Sequence, residues 1–249
     1  MTLTFNVSGT FTGTPVAYAP AVTAGLQAWH YFGGSDAAGI TNQLEGGTAA
    51  AMVGAPVENA SYAQFTGLSA YAQLGVAAGG NCTFLALMQA SAAVVGNTTD
   101  VIGLGDSTAS TSGQHLGFVY SGGAAVLRAS RIVNPGTPTT VNASLALASP
   151  TSWNFVAATF ANGGAVNVYN LTNWNLIAAL TPGTGANTAN LIESGVNLRA
   201  GSTLNTYSGV VNQAFAAVYN TVLSTGDMGS ILAQVRNYTA GLSTPITGF

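Results

Sequence analysis

Two carboxylates, Asp100 and Asp106, flank the apolar stretch VIGLG and stand six positions apart. Residues an even number apart in an extended strand point to the same side, so the pair would share one face. Two carboxylates on either side of a glycosidic bond can hydrolyse it. Asp106 is followed by Ser107 in a predicted turn, however, and we interpret it as a residue that caps this turn. The protein is therefore expected not to be an enzyme.

Other catalytic arrangements are missing from the sequence. His30 and His115 lie in apolar stretches without a serine or cysteine motif that would complete a triad, and we predict that each is held by backbone groups. The motifs G-x-S-x-G and H-E-x-x-H and a phosphate-binding loop are also absent. The single Cys82 excludes an intrachain disulfide and a cysteine zinc cluster, and it is predicted to be a small buried apolar residue.

Sugar binding requires exposed aromatic faces that stack on C–H surfaces, with amides and hydroxyls beside them. Trp174 in the polar segment NLTNWNLI meets this requirement, and Asn173 and Asn175 flank it. Tyr207 and Tyr120 are the next choices. An equally weighted alternative is that Trp174 packs across a neighbouring loop or a subunit interface. The sequence thus predicts a carbohydrate site that includes these five residues.

Calcium binding would require several oxygen ligands at a loop rim. The loop acids that could supply them are Asp36, Asp106, Glu58 and Glu193. Because carboxylates are so few, we predict that the protein has no cofactor, and calcium at Asp36 and Asp106 is the alternative.

The composition excludes some partners. The chain has 249 residues, with seven acidic residues, four arginines, no lysine and a formal charge of −3. Nucleic-acid binding is not expected, because it needs several cations to displace phosphate counterions. Membrane insertion is not expected either, since every stretch of about eighteen residues is interrupted by Gly, Asn, Thr or Ser. The opening sequence MTLTFNVSGTFTGTPV alternates like a strand and lacks the features of a signal peptide.

Gly, Pro, Asn and Ser clusters interrupt the chain about every ten residues, a spacing that is typical of β-sandwiches and barrels. NGG at 162–164 predicts a hairpin turn between two apolar stretches. Trp29 and Trp153 are assigned to strand cores. The predicted strands are Gln27 to Phe32, Ala63 to Phe65, Ala70 to Val76, Cys82 to Gln89, Asp100 to Leu104, His115 to Tyr120, Val126 to Ile132, Thr140 to Ala146, Trp153 to Phe160, Ala165 to Asn170, Leu198 to Gly201 and Val210 to Asn220.

One segment near the end of the chain has the pattern of a helix. Ser224 and Asp227 stand three positions apart, as in a capping box. The apolar residues that follow recur at helical spacing and predict a stripe that packs against the sandwich; they are Met228, Ile231, Leu232 and Val235.

Several motifs in this order resemble a laminin-G-like, concanavalin A-like jelly-roll domain of the bacterial and phage kind: LQAWHYFGGSD, SWNFVAATFANGGAVNVYN and AAVYNTVLSTGDMGSIL. The resemblance covers roughly residues 25 to 240. It implies an all-β, antiparallel two-sheet jelly-roll sandwich (25–249) that buries the Trp153 strand between its layers. A single short C-terminal helix would plug one end of the core. Residues 1–24 are predicted to form an N-terminal strand or arm.

The resemblance implies a lectin-like role, and the E-x-D-x-x-E run of the related hydrolases is absent. The expected function is that of a non-enzymatic, virion-associated or surface protein that attaches to glycans or decorates a particle. It would act as an oligomer or in many copies, at a virion or extracellular surface and without a signal peptide. The alternative is a purely structural capsid or tail component held by other virion subunits, and a glycoside hydrolase ranks third.

Overall fold

The structure is a computed structural model that describes residues 19–95, 100–106, 113–133, 139–147, 149–172, 183–184, 196–203 and 207–249. The strand predicted near the start of the chain and most of the predicted arm lie outside these residues, as do Asn173, Trp174, Asn175 and Glu193.

The described residues form fifteen strands and two helices. In chain order they are β1 (Leu26–Tyr31), α1 (Asp36–Ile40), β2 (Ala51–Val53), β3 (Val57–Glu58), β4 (Ala63–Thr66), β5 (Tyr71–Gln73), β6 (Cys82–Ala90), β7 (Val101–Gly105), β8 (Gln114–Ser121), β9 (Ala124–Val133), β10 (Thr139–Ala146), β11 (Asn154–Phe160), β12 (Val166–Asn170), β13 (Gly183–Thr184), β14 (Arg199–Ala200), β15 (Val210–Tyr219) and α2 (Thr225–Ala240).

The strands build two antiparallel sheets. The eight-stranded sheet has the order β13-β12-β11-β6-β15-β4-β3, with β1 also paired to β15, and the seven-stranded sheet has the order β10-β9-β8-β7-β14-β5-β2. The predicted all-β, two-sheet sandwich is confirmed, and each predicted strand listed above overlaps an observed one. The missed strands β2, β3 and β13 have only two or three residues, too few to show an alternating pattern.

The central strands of the eight-stranded sheet are apolar on both faces. In β11, Val156, Ala158 and Phe160 face the core between the sheets, whereas Phe155 and Ala157 belong to a second core on the outer face. Trp153 lies one residue before β11 and packs against this outer core. The strand is therefore buried on both faces.

Helix α2 begins with the predicted capping box, in which Asp227 N donates to Ser224 Oγ (3.1 Å) and Ser224 N donates to Asp227 Oδ2 (3.1 Å). The predicted apolar stripe is buried. The predicted location was wrong, because the stripe covers the outer face of the eight-stranded sheet instead of plugging one end of the inter-sheet core. Large outward residues such as Phe155 and Phe215 account for this location, since they would otherwise face water.

Both ends of the described chain are held near α2. Gln234 binds the end of the predicted arm, with Nε2 donating to Ala19 O (3.0 Å) and Oε1 accepting from Ala21 N (2.6 Å). At the other end, Arg236 Nε donates to Phe249 O (2.8 Å), and Phe249 is buried. The C-terminal tail therefore belongs to the folded body.

The predicted NGG hairpin is confirmed. It joins β11 to β12, and Gly163 has φ +73°, a conformation that L side chains rarely adopt. Among the described residues, no helix has the length and apolar character needed to cross a membrane.

Candidate functional site

A cleft lined by two aromatic side chains opens at one end of the eight-stranded sheet. Its volume is about 310 Å³, at the lower end of the range of small-molecule sites. Its lining comes from the turn between β3 and β4, from the residue before β11 and from the C-terminal tail: Asn59, Ala60, Ser61, Tyr62, Trp153, Thr244, Pro245 and Ile246.

Sheet register brings the two aromatic residues together. Asn154, Met88, Gln213 and Ala63 are aligned across four neighbouring strands, and the residues just before β11 and β4 lie next to this row and pack against the outer core. These residues are Trp153 and Tyr62. Their rings meet edge to face, with centroids 5.4 Å apart and an interplanar angle of 66°. This T-shaped arrangement is one that aromatic pairs prefer, so the two rings orient each other.

The C-terminal tail forms the opposite wall of the cleft. Ser61 Oγ donates a hydrogen bond to Thr244 O, which ties the β3–β4 turn to the tail. Two buried side chains anchor the tail beyond this point, Ile246 and Phe249, and the Phe249 ring stacks on Phe155 at 6.3 Å. The cleft is thus closed by anchored segments on both sides.

The cleft combines aromatic surface with uncharged polar groups. Trp153 Nε1 and Tyr62 Oη have no hydrogen-bond partner among the described residues, and neither atom is enclosed. The Thr244 side chain is exposed. Asn59 Nδ2 donates to Val57 O (3.3 Å), which orients the amide and leaves its oxygen available. This arrangement can bind a small ligand that has an apolar face and several hydroxyl groups.

Two of the predicted metal ligands do come together, but outside the cleft. Glu58 and Asp36 lie side by side. Burial is the largest of the causes that raise the pKa of the Glu58 carboxyl to about 7, and the neighbouring Asp36 carboxylate contributes as a hydrogen-bond acceptor and through its charge. Glu58 stands opposite Ala63, which faces the inter-sheet core, so the pair points away from the outer face. The described residues contain no group of three or more potential metal-binding side chains.

Replacing Glu58 with Gln should stabilise the protein at neutral pH. The raised pKa means that the folded state favours the protonated form of Glu58. The contribution of this protonated acid to stability is full below pH 4.5 and is lost as the pH rises through about 7, so the substitution gains most above pH 7. Because the side chain is half-buried, we expect a gain of only about 1 kcal/mol at pH 8 and none at pH 4.5. Urea unfolding at both pH values measures this. Glu45→Gln, a change at an exposed acid, is the control and should have no effect at either pH.

The other predicted site residues lie elsewhere. Tyr207 packs its ring on His115, with centroids 5.3 Å apart, on the outer face of the seven-stranded sheet. The Tyr120 side chain packs against the inter-sheet core, and its backbone N–H donates to Asp100 Oδ1 (2.7 Å). Neither tyrosine lines the cleft. A sugar-binding role for these residues, and for those at 173–175, stays a prediction.

The predicted carboxylate pair binds backbone groups. Asp100 Oδ1 accepts from Tyr120 N, and Asp106 Oδ1 accepts from Gln114 N (2.7 Å). Gln114 connects Asp106 to Cys82, because its backbone N–H binds Asp106 and its side-chain Oε1 accepts a hydrogen bond from Cys82 Sγ (2.8 Å). Met88 is six residues further along β6 than Cys82, and it is aligned across the sheet with Ala63 and therefore with Glu58. Asp106 and the Asp36–Glu58 pair are thus at opposite ends of the sandwich. Asp36 and Asp106 therefore do not share one metal site.

The sequence does not reveal the cleft, because its pattern assigns Trp153 to a strand core. The signal was its position: it directly follows the turn PTS and begins the predicted strand, where a side chain can project past the end of a sheet. No sequence pattern marks Tyr62 as part of the cleft, since its partner Trp153 is remote in sequence.

No protein-family model matches the chain, and no curated protein matches it. Solved structures do match. The botulinum neurotoxin serotype G binding domain is 10% identical (TM-score 0.60; 86% of this chain and 52% of that one are covered). Domain 4 of AbnA, a GH43 extracellular arabinanase from Geobacillus stearothermophilus solved with arabinotriose, is 13% identical (TM-score 0.53; 84% and 98%). The binding domain of botulinum neurotoxin DC, solved with SialylT, is 14% identical (TM-score 0.53; 76% and 46%).

These similarities establish a shared β-sandwich fold. The chain spans 52% of the serotype G domain, so it corresponds to about half of that structure.

Proposed function

We propose that the protein is a non-enzymatic, lectin-like domain that binds carbohydrate in the cleft between Tyr62 and Trp153. The observation that carries the proposal is the fixed aromatic pair beside uncharged polar groups. Aromatic faces stack on the C–H surfaces of sugar rings, while amides and hydroxyls bind their hydroxyl groups. Asp100 and Asp106 accept backbone N–H bonds, which supports a binding role over a hydrolytic one.

The solved structures support the proposal by analogy. The arabinanase domain was solved with arabinotriose and the neurotoxin DC domain with SialylT, so this sandwich occurs in proteins that hold saccharides. Analogy of fold alone does not assign a function, so the proposal rests on the residues of the cleft. We further propose the laminin-G-like type, a virion or extracellular surface location, attachment or decoration as the task, and several copies in contact with glycans or other virion subunits.

Replacing Trp153 with Ala should weaken binding to a glycan found on an array by at least about 30-fold, because hot-spot aromatics contribute about 2 kcal/mol. Calorimetric titration measures the affinity, and circular dichroism checks that the variant is folded. Val222→Ala is the control, since this exposed apolar side chain is not part of the cleft lining, and it should leave the affinity unchanged.

Trp174→Ala tests the site that the sequence predicts. If this change abolishes binding while Trp153→Ala does not, the cleft is the wrong site. If no glycan binds at all and the protein is found in stoichiometric contact with capsid or tail subunits, the purely structural function replaces the lectin-like one.

We also propose that binding needs no cofactor, because the cleft has no carboxylate in its lining. Glycan affinity should be the same in EDTA and in millimolar calcium. A loss of affinity in EDTA that calcium restores would contradict this. Asp36→Asn would then test whether the ion sits at the Asp36–Glu58 pair.

A further inference from the structure

We infer that the cleft selects neutral saccharides over acidic ones such as sialylated, sulfated or uronic-acid glycans. This inference rests on the proposed carbohydrate function and specifies its substrate class. It follows from the placement of the few charged residues relative to the cleft.

Among the residues that the structure describes, no cation is positioned to receive an acidic sugar. The lining residues of the cleft are all uncharged. Arg128 and Arg131 belong to β9 and Arg199 to β14, all in the seven-stranded sheet. Arg236 is on the same side as the cleft, but its Nε donates to Phe249 O and its guanidinium lies 6.0 Å from the Phe249 ring centroid. A carboxylate or sulfate in the cleft would lose water without gaining a counterion.

The negative charge of the protein makes an anion still less favourable. Glu58 precedes the lining residue Asn59, and Asp36 lies beside it. Above pH 7 this pair is negatively charged, and the whole chain has a net charge of −3. A neutral ligand feels none of this repulsion.

The polar groups that the cleft does offer match hydroxyl groups. The indole N–H of Trp153 is a donor, the Tyr62 and Thr244 hydroxyls are donors and acceptors, and the Asn59 amide oxygen is an acceptor. A sugar hydroxyl can both donate and accept, so it satisfies each of them without carrying a charge.

The test uses an array on which each neutral oligosaccharide is printed beside its sialylated or sulfated counterpart, followed by titration of the best pair. We expect the neutral member to bind at least about tenfold more tightly. Its affinity should change by less than about twofold between 50 and 500 mM NaCl, because screening does not act on an uncharged ligand. Ala60→Arg introduces a cation at an exposed lining position and should reduce the preference.

Tighter binding of the acidic members, lost in Trp153→Ala and weakened by salt, would overturn the neutral preference and leave carbohydrate binding intact. Equal affinities for both members of each pair would also overturn it. Absence of any Trp153-dependent glycan binding would overturn the proposed function, and the neutral preference with it.

Discussion

Acidification from pH 7 to pH 4.5 is expected to lower the free energy of unfolding by about 2 kcal/mol for each of two buried histidines. Burial lowers the pKa of His30 to about 4, against the raising effect of backbone hydrogen bonds at Gly39 and Thr41. Burial also lowers the pKa of His115 to about 4, and the charge of Arg128 adds to the effect. The histidines of the unfolded chain take up protons near pH 6.5, whereas those of the folded chain do so near pH 4. The contribution of the two neutral histidines to stability is therefore present above pH 6.5 and is lost as the pH falls to about 4.

The comparison is made in the Glu58→Gln background, because Glu58 titrates in the same range with the opposite sign. Urea unfolding is measured at half-unit steps from pH 7 to pH 4.5, with and without the further changes His30→Gln and His115→Gln. The quantity compared is the slope of the free energy of unfolding against pH, not its absolute value. The added changes should flatten the slope, and a slope that stays the same would show that neither imidazole is held neutral by the fold.

Replacing Arg131 with Met is expected to lower the free energy of unfolding by about 3 kcal/mol, because bonds from charged groups contribute more than neutral ones. Arg131 is fully buried in β9 of the seven-stranded sheet. Its Nη1 donates to Ala161 O (2.7 Å) and its Nη2 donates to Gly164 O, both in the turn after β11. The side chain therefore joins one sheet to the other.

Arg128→Met is the matched control for Arg131→Met. It lies three positions away on the same strand, and its Nε makes one exposed bond to Ser144 Oγ (3.3 Å). This change should alter stability by less than about 0.5 kcal/mol. Both variants are compared with the parent by urea unfolding at pH 8, where the histidines are neutral in all states. If both changes lowered the free energy of unfolding by the same amount, the bonds of Arg131 to the β11–β12 turn would not contribute to stability beyond an exposed arginine.

Secondary structure was largely predictable because its determinants are local. Apolar stretches between Gly, Pro and Asn clusters located the long strands, and Ser224 with Asp227 located the start of α2 to the residue. Each of these features depends on residues within a few positions of one another.

The position of α2 was predictable only in part. Its apolar stripe shows that it packs against something, but the sequence does not say which of several apolar surfaces receives it. The surface is the outer face of β6, β11 and β15, where outward residues such as Leu87 and Phe155 need cover. That choice depends on which strands are neighbours, and the strand order includes pairs as remote as β1 and β15.

What the sequence determined by itself is therefore an all-β chain with few charges, a capped terminal helix and no legible catalytic motif. Only the tertiary structure decided that Tyr62 meets Trp153, that Glu58 meets Asp36 and that Arg131 reaches the turn after β11. The physical reason is that sheet register sets these pairs. Register depends on the simultaneous pairing of many strands, and no stretch of a few residues contains that information.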